Sequence, residues 1–350
     1  MAKLHISQLR HGMLVGQDVI EEGTRKLLLK NGTRLTDSII NRLLSYEIDT
    51  IEVNDPDTLL LYPDDIIRTL LTECYKSASK KIIPNSITAS MTDKAYKSGK
   101  VVKELIPCII DDEQLREACV NMQIINYRIL LQVGVYTSVY SMMIASIMEL
   151  EKSQILDIGK AGVLHDVGLC EMPYLITSEE LPPGQRPLYH EHPTYAYYML
   201  KEQHYSEEVA TIIYGHHERY DGKGYPRQLK GEEIPIGSRI VGLCSDYDNF
   251  INLNGMEPYE AVEHMYGNSN ICYDKKVVDT FVRNIPIYPM GATVELTTGE
   301  VGIVVNIRKN KGPRPVVRIF YNRVKKEISH PYFMDLGKEK TIFIKKIINI

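Results

Sequence analysis

An uncharged segment from Ile129 to Met148 constrains the fold of this chain more than any other feature of its sequence. A helix of that length can cross a bilayer, so the segment either spans a membrane or lies inside a folded domain. It also carries Gln132, Thr137, Ser138 and Ser141. Because such polar groups lack water in the hydrocarbon region, we favour a buried helix and expect no membrane span, with a transmembrane helix as the alternative.

The pattern of apolar residues changes twice along the chain. Apolar residues recur at three- and four-residue steps in 66–71 and 101–106, which is typical of amphipathic helices. Residues 14–20 near the N-terminus, and 292–296 and 316–321 near the C-terminus, alternate or are rich in β-branched side chains. These stretches are bounded by turn residues and predict short strands.

These patterns predict a mainly α fold, in which an all-helical core is flanked by small N-terminal and C-terminal β-rich units. We expect the N-terminal unit over 1–58, a helical connector over 59–120, the helical core over 121–285 and the C-terminal unit over 286–350. The last strand is expected near 341–347. A chain of 350 residues is long enough for two or three such domains.

Composition narrows the class of partner and the compartment. The net charge of −4 excludes the broad basic field of a non-specific nucleic-acid binder, so we expect no DNA partner. A local basic pocket is still compatible with this net charge. The six cysteines form no C-x-x-C pair, and the N-terminus has no apolar signal segment. We therefore predict reduced cysteines and a cytoplasmic protein.

Histidines and carboxylates concentrate in the helical core. The groups that stand together are His165-Asp166, His192 and His216-His217-Glu218. Imidazole nitrogen and carboxylate oxygen suit a first-row transition metal such as iron or manganese when no thiolate is offered. A two-metal site of this kind can hold a phosphate for in-line attack. Three other histidines, His190, His204 and His264, are interpreted as capped or solvated residues.

The order of these groups resembles the HD-GYP family, a branch of the HD phosphohydrolase superfamily. The resemblance is carried by 164–168, 191–193, 216–226 and 238–240, and it covers roughly 121–285. It implies an all-helical core, a site for two or three ions, and hydrolysis of the bacterial messenger cyclic di-GMP.

The resemblance also implies roles for individual residues. The implied catalytic residues are Asp166 and His165, and the implied metal ligands are His165, Asp166, His192, His216 and His217. The loop 221–226 is expected to cover the metal pocket and to touch a nucleotide or a partner domain. The glycines of this loop permit close approach and its cations offer donors, so the expected substrate-binding residues are Arg219, Lys223, Gly224 and Tyr225.

Three departures from the family pattern fall on this one site. Tyr140 stands where the family has its first metal histidine, Ser245 where it has a metal-binding aspartate, and Leu169 where it has a lysine. A neutral phenol and a neutral hydroxyl hold a divalent cation poorly. We therefore expect one well-held ion and a second position that is weak or absent. Compensation by Asp248, which shares a helix face with Ser245, is the less favoured alternative.

Two functional interpretations follow from this sequence. The first is a metal-dependent phosphodiesterase acting on cyclic di-GMP, weak or altered because one metal position has lost ligands. The second is a catalytically inactive relative that binds metal or a related nucleotide and signals through protein partners. A scaffold that binds only through its β units is a third hypothesis, and it predicts no bound metal. The β units are compatible with signalling partners and with a homodimer.

Overall fold

The computed structural model describes most of the chain and divides it into two compact units, residues 1–69 and 70–350. This division does not separate the expected connector, core and C-terminal unit, so those boundaries stay a prediction. The described residues are 2–5, 13–20, 27–36, 39–40, 43, 48, 50–54, 63–83, 93–121, 128–172, 186–285, 287–288, 291–306, 314–339 and 341–348.

The N-terminal unit contains two small antiparallel sheets. Its strands are β1 (Ala2–His5), β2 (Leu14–Val15), β3 (Val19–Ile20), β4 (Leu27–Leu29) and β5 (Thr50–Asn54). One sheet has the order β1-β5-β2, and the other pairs β3 with β4. Val15, Leu35 and Val53 are fully buried in the core of this unit. Thr36 accepts a hydrogen bond from the amide of Ile39, as the N-cap residue of a helix does.

Helices dominate the described part of 63–285. They are α1 (Pro63–Ile82), α2 (Asp93–Ile110), α3 (Glu113–Asn121), α4 (Arg128–Ile147), α5 (Lys152–Leu164), α6 (Arg186–Tyr189), α7 (His192–Glu202), α8 (Glu207–Tyr214), α9 (Ile236–Asn252), α10 (Pro258–Gly267) and α11 (Lys275–Asn284). Short 3-10 turns occupy Val167–Glu171 and Gly231–Glu233. N-capping side chains explain where two of these helices begin. Ser206 and Asp274 accept hydrogen bonds from backbone amides in the first turns of α8 and α11.

The uncharged segment forms α4, which lies inside the helical unit. Within the described residues, 78% of the apolar window Ile129–Ile147 is buried. α4 packs antiparallel against α5, so that Gly134 faces the carbonyl oxygen of Val163 and Ser138 faces Gly162. The Ser138 hydroxyl also forms a hydrogen bond of 2.8 Å with the hydroxyl of Tyr75. Small and hydroxyl side chains thus permit close helix packing and satisfy one another in the interior.

The C-terminal residues form one antiparallel sheet of five strands. These are β6 (Thr293–Leu296), β7 (Val301–Asn306), β8 (Val316–Tyr321), β9 (Glu327–Asp335) and β10 (Ile344–Ile347), in the order β10-β6-β7-β8-β9. The sequence did not predict β9, where Ser329, His330 and Pro331 interrupt the apolar pattern. The predicted fold class is confirmed: the fold is mainly α, with β-rich units at both ends.

The close contact between α4 and α5 gives a stability test. A Cβ atom at position 134 would lie 2.3 Å from the backbone oxygen of Val163, which cannot move without shifting α5. We expect Gly134→Ala to lower the free energy of unfolding by about 1–3 kcal/mol in urea denaturation. The matched control is Gly267→Ala in α10, where a Cβ has nothing within 4 Å. Equal stability of the two variants would contradict this packing.

Candidate metal centre

The candidate ligands lie at the ends of helices rather than in their middles. His165 and Asp166 follow the last residue of α5, and His192 is the first residue of α7. His216 and His217 come just after α8, beyond Gly215 at its C-terminus. Because the backbone turns at these points, neighbouring side chains such as His165 and Asp166 can point toward one centre despite the 100° step of a regular helix.

Two close backbone contacts hold these helix ends together. A Cβ atom at Gly168, in the turn after Asp166, would lie 2.0 Å from the carbonyl oxygen of His192. A Cβ atom at Gly242 of α9 would lie 2.2 Å from the carbonyl oxygen of His216. Only glycine permits such close approach, so these two positions place the separate ligand segments against each other.

Four of the five metal ligands that the resemblance implies come together in the structure. One ligand atom from each of Asp166, His192, His216 and His217 lies within 4.8 Å of the other three. The three histidines are buried, and the side chain of Asp166 is 12% exposed. Such a compact set of one carboxylate and three imidazoles suits a divalent transition metal.

Backbone carbonyls fix the orientation of two of the imidazoles. Nδ1 of His192 lies 2.7 Å from the carbonyl oxygen of Tyr189, and Nδ1 of His216 lies 2.6 Å from that of Ile213. A carbonyl oxygen only accepts, so Nδ1 donates in each ring and the lone pair of the neutral ring is on Nε2. This arrangement is usual for metal-binding histidines, whose second nitrogen is held by a carbonyl or carboxylate.

The protein alone leaves nitrogen atoms at the centre of the cluster without suitable partners. Nε2 of His192 and Nε2 of His216 face each other at 3.4 Å, although each carries a lone pair when the rings are neutral. Nε2 of His217 is buried and makes no hydrogen bond to any described residue. A cation would satisfy all three nitrogens, so the residues present fit a metal ion.

The charge states of the metal-free protein favour the same conclusion. Burial lowers the pKa of His216 to about 4 and holds the pKa of His217 well below its ordinary value. Burial would raise the pKa of Asp166, but the charge and hydrogen bond of His165 hold it well below its usual range. At neutral pH His216 and His217 are therefore neutral and Asp166 is an ionised carboxylate.

His165 lies beside this cluster but is bonded differently. Its Nδ1 donates to the carbonyl oxygen of Gly162 at 2.9 Å. Its Nε2 lies 3.3 Å from Oδ2 of Asp166 and 3.0 Å from the hydroxyl of Ser245. Burial opposes a charge on His165, but the Asp166 carboxylate more than offsets this and raises its pKa. Ser245 thus forms a hydrogen bond with the nitrogen that a second ion would need.

Two other residues that the sequence analysis connects with a second ion, Tyr140 and Asp248, also have structural contacts. Tyr140 packs edge-on against Tyr247 and also contacts Phe281, with ring centroids 5.4 and 5.7 Å apart. Burial raises the pKa of Tyr140 well above its ordinary value, so its phenol is neutral. Asp248 is buried and accepts a hydrogen bond from the Asn252 amide, and it is not among the four converging ligands.

The loop after His216 and His217 is placed over the cluster by Tyr225. The Tyr225 ring stacks on His217 at a centroid distance of 4.8 Å. Gly224 lies so close to Glu218 and Arg219 that a Cβ there would be 2.2 Å from the Arg219 amide nitrogen. The Arg219 guanidinium forms an ion pair of 2.7 Å with Asp246, whereas Lys223 is 85% exposed beside Asp221.

Sequence reasoning missed three contributors to this loop. Asp246 was not among the expected site residues, yet it holds Arg219. Glu218 accepts hydrogen bonds of 2.8 and 3.0 Å from the amides of Arg227 and Leu229, and so ties the far side of the loop. His190, interpreted as a capped or solvated residue, is exposed and stacks on Tyr225 at 4.1 Å. No local sequence signal marks the Asp246 and His190 contacts, because their partners lie far along the chain.

Two domain families match this chain. Residues 117–277 match the HD domain, and residues 293–350 match the KOW domain associated with the HD domain. The first match contains all the candidate ligands and the loop 221–226, and the second covers β6 to β10.

Three curated relatives are similar to parts of the chain. A cyclic di-GMP phosphodiesterase of Pseudomonas aeruginosa is 30% identical over 58% of this chain and 52% of its own length. The cyclic di-GMP phosphodiesterase response regulator RpfG of Xanthomonas campestris is 29% identical over 40% of this chain and 39% of its own. A 3′3′-cGAMP-specific phosphodiesterase of Vibrio cholerae is 36% identical over 23% and 17%. The chain therefore spans about half the length of the first relative and less of the others.

The cluster predicts that a metal ion stabilises the folded protein. Consider an ion that binds only the native state and is present at a free concentration of about 100 times its Kd. It raises the free energy of unfolding by about 2.7 kcal/mol, which corresponds to a rise in Tm of roughly 5–10 °C. We expect Mn²⁺ to raise the Tm of chelator-treated protein by this amount, measured by calorimetry. His216→Ala should abolish the rise. The control His264→Ala, an exposed residue of α10, should retain it, and loss of the rise in both variants would contradict the assignment.

Asp248 predicts a pH-dependent contribution to stability. Burial raises its pKa to about 7, whereas an unfolded aspartate titrates near 3.9. Between about pH 4 and pH 7 the folded state therefore binds the extra proton, and stability falls as pH rises. Asp248→Asn removes this titration. In the presence of chelator, the free energy of unfolding of Asp248→Asn minus that of the native chain should therefore increase from pH 4 to pH 7, by up to about 4 kcal/mol at 1.36 kcal/mol per pKa unit.

Urea denaturation from pH 4 to pH 8 measures this difference. The control is Asp279→Asn, which removes the same charge from a partly exposed, lysine-paired position of α11. A pH-independent difference for Asp248→Asn, or the same trend in both variants, would contradict the placement of Asp248.

Proposed function

Because the chain belongs to the HD-GYP family of HD domain proteins, we propose that it is a metal-dependent phosphodiesterase that hydrolyses cyclic di-GMP. The single observation that carries this proposal is the convergence of Asp166, His192, His216 and His217 in a buried cluster. The relatives named as cyclic di-GMP phosphodiesterases support the choice of substrate.

In this proposal the cluster holds one ion, which is iron or manganese. Asp166 anchors it as a carboxylate, and His192, His216 and His217 supply neutral nitrogen ligands. A bound divalent cation supplies Lewis-acid stabilisation of charge on a phosphoryl oxygen and lowers the pKa of water. His165 is the second catalytic residue in this proposal, beside Asp166, because its Nε2 lies 3.3 Å from that carboxylate. The same nitrogen would be a ligand of a second ion.

The loop over the cluster is proposed to bind the dinucleotide. The Lys223 ammonium is exposed and lies 3.3 Å from the carboxylate of its neighbour Asp221, and Arg219 is held in position by Asp246. Tyr225 offers a ring face beside the metal ligands, and Gly224 lets the backbone lie close to them. We propose that cation and aromatic contacts from these four residues orient the substrate over the ion.

The proposed activity is weak because the second metal position has lost two ligands, a histidine and a carboxylate. Tyr140 and Ser245 are neutral, and each has a structural contact, one in an aromatic cluster and the other with His165. With one cation fewer, less positive charge faces the phosphoryl oxygens as they gain negative charge in the transition state. The rate should therefore fall well below that of a two-ion site.

One observation favours the alternative of an inactive relative. The hydrogen bond between Ser245 and His165 occupies the imidazole nitrogen that a second ion would need. A chain that keeps one ion and the nucleotide-binding loop could bind a nucleotide without hydrolysing it and signal through protein partners in the cytoplasm. The two candidates differ in product formation, not in metal binding.

Metal analysis combined with a turnover assay separates these candidates. For the phosphodiesterase we expect linear product from cyclic di-GMP, and at least about a hundredfold less from His216→Ala, in which an ion ligand is missing. 3′3′-cGAMP serves as the comparison substrate because one relative is named for it. About one ion per chain with no linear product from either dinucleotide would support the inactive relative. A chain with no ion would contradict both.

Restoring the lost ligands tests the assignment of the second position. The double variant Tyr140→His with Ser245→Asp offers an imidazole and a carboxylate beside His165, so occupancy of a second ion should rise and turnover should increase at least about tenfold. The matched control is Tyr140→Phe with Ser245→Ala, which changes the same positions without adding a ligand. Unchanged metal stoichiometry in the first variant would contradict the assignment.

A further inference from the structure

A cavity of about 290 Å³ lies between the N-terminal halves of three helices, away from the metal cluster. Its lining includes Asp157 and Ile158 of α5, Glu208 and Ile212 of α8, and Ile236 at the start of α9. None of its lining residues is a candidate metal ligand or part of the loop 221–226. The volume is at the lower end of small-molecule pockets, so a ligand here would be compact.

The floor of this cavity is apolar and preformed. Ile158 and Ile212 are buried, and the backbone of Gly237 packs directly on them. A Cβ atom at Gly237 would lie 2.7 Å from Cδ1 of Ile212 and 3.2 Å from Cγ1 of Ile158. Three helices are therefore in contact beneath the opening. An apolar group of a ligand would bury its surface there without a rearrangement of these helices.

The start of α8 does not act as an anion site, although helix N-termini commonly do. Its amide at Val209 is satisfied by the hydroxyl of Ser206, and its first two residues are Glu207 and Glu208. Glu207 is already bound by the ammonium group of Lys201. The start of this helix therefore presents carboxylates, not free amide donors, to the cavity.

Two of the lining carboxylates have no cation of their own. Among the described residues, neither Asp157 nor Glu208 forms an ion pair, and Glu208 accepts only the hydroxyl of Ser206. The nearby Lys160 is bound to Asp112 at 2.6 Å. Burial raises the pKa of Asp157; the charge of Lys160 opposes this rise, and repulsion from Glu208 adds to it. An added positive charge would relieve this repulsion.

We propose that this cavity is a binding site for a small organic cation with an apolar body, such as an arylalkyl ammonium. The apolar part lies against Ile158 and Ile212, and the ammonium group lies between Asp157 and Glu208. The proposal does not depend on phosphodiesterase activity, because it uses neither the metal cluster nor the loop above it.

The probe is 2-phenylethylammonium, and its matched neutral control is 2-phenylethanol. By calorimetric titration of the full chain we expect a Kd of about 0.1–1 mM for the ammonium, in the range for a ligand of this size. The alcohol should bind at least about fivefold more weakly, because it lacks the charge. In spectra of isoleucine methyl groups, the ammonium should shift Ile158, Ile212 and Ile236 and leave Ile319 of the C-terminal sheet unchanged.

Substitution of one carboxylate gives the decisive comparison. Asp157→Asn should weaken binding of the ammonium at least about fivefold and leave binding of the alcohol unchanged. Glu263→Gln removes the same charge from an exposed position of α10 and should have no effect. No binding of the ammonium up to about 10 mM would overturn the proposal. Equal affinities of the native chain for the ammonium and the alcohol would also overturn it. So would an equal loss of ammonium affinity in Asp157→Asn and Glu263→Gln.

Discussion

The ionised carboxylate of Asp166 among three buried imidazoles is the interaction on which the rest of the site depends. Burying a carboxylate is costly unless hydrogen bonds or an opposite charge compensate it. Here burial alone would raise the pKa of Asp166, but the charge and hydrogen bond of His165 keep it low, while burial keeps His216 and His217 neutral. The set therefore has the charge and the lone pairs that a divalent cation requires, and the nitrogens that face each other have no better partner among the described residues.

The helical unit assembles this set by ending helices at one place. α5, α7 and α8 each contribute ligands from a terminus, and α9 packs its Gly242 against the backbone of His216. The uncharged α4 fills the interior behind α5, where glycine and serine allow the helices to lie close together. The same segment that could cross a membrane by its length thus serves as the support for α5, which carries His165 and Asp166 at its end.

The sequence predicted the fold class because periodicity and turn residues are local signals. It failed at β9, whose Pro331 is tolerated because an edge strand pairs on one side only. The family resemblance implied which residues belong to the cluster, but it did not imply how the second position is filled. The contacts of Ser245 with His165 and of Asp246 with Arg219 join residues 80 and 27 positions apart, and only tertiary packing brings them together.

The central claim is that Asp166, His192, His216 and His217 share one cation. X-ray absorption at the metal edge of the manganese-loaded protein tests it most directly, with the metal content measured on the same sample. The account predicts about one ion per chain, with the scattering pattern of several imidazoles and at least one oxygen ligand. A spectrum without imidazole scattering, or one that is unchanged when His192 and His216 are both replaced by alanine, would contradict it.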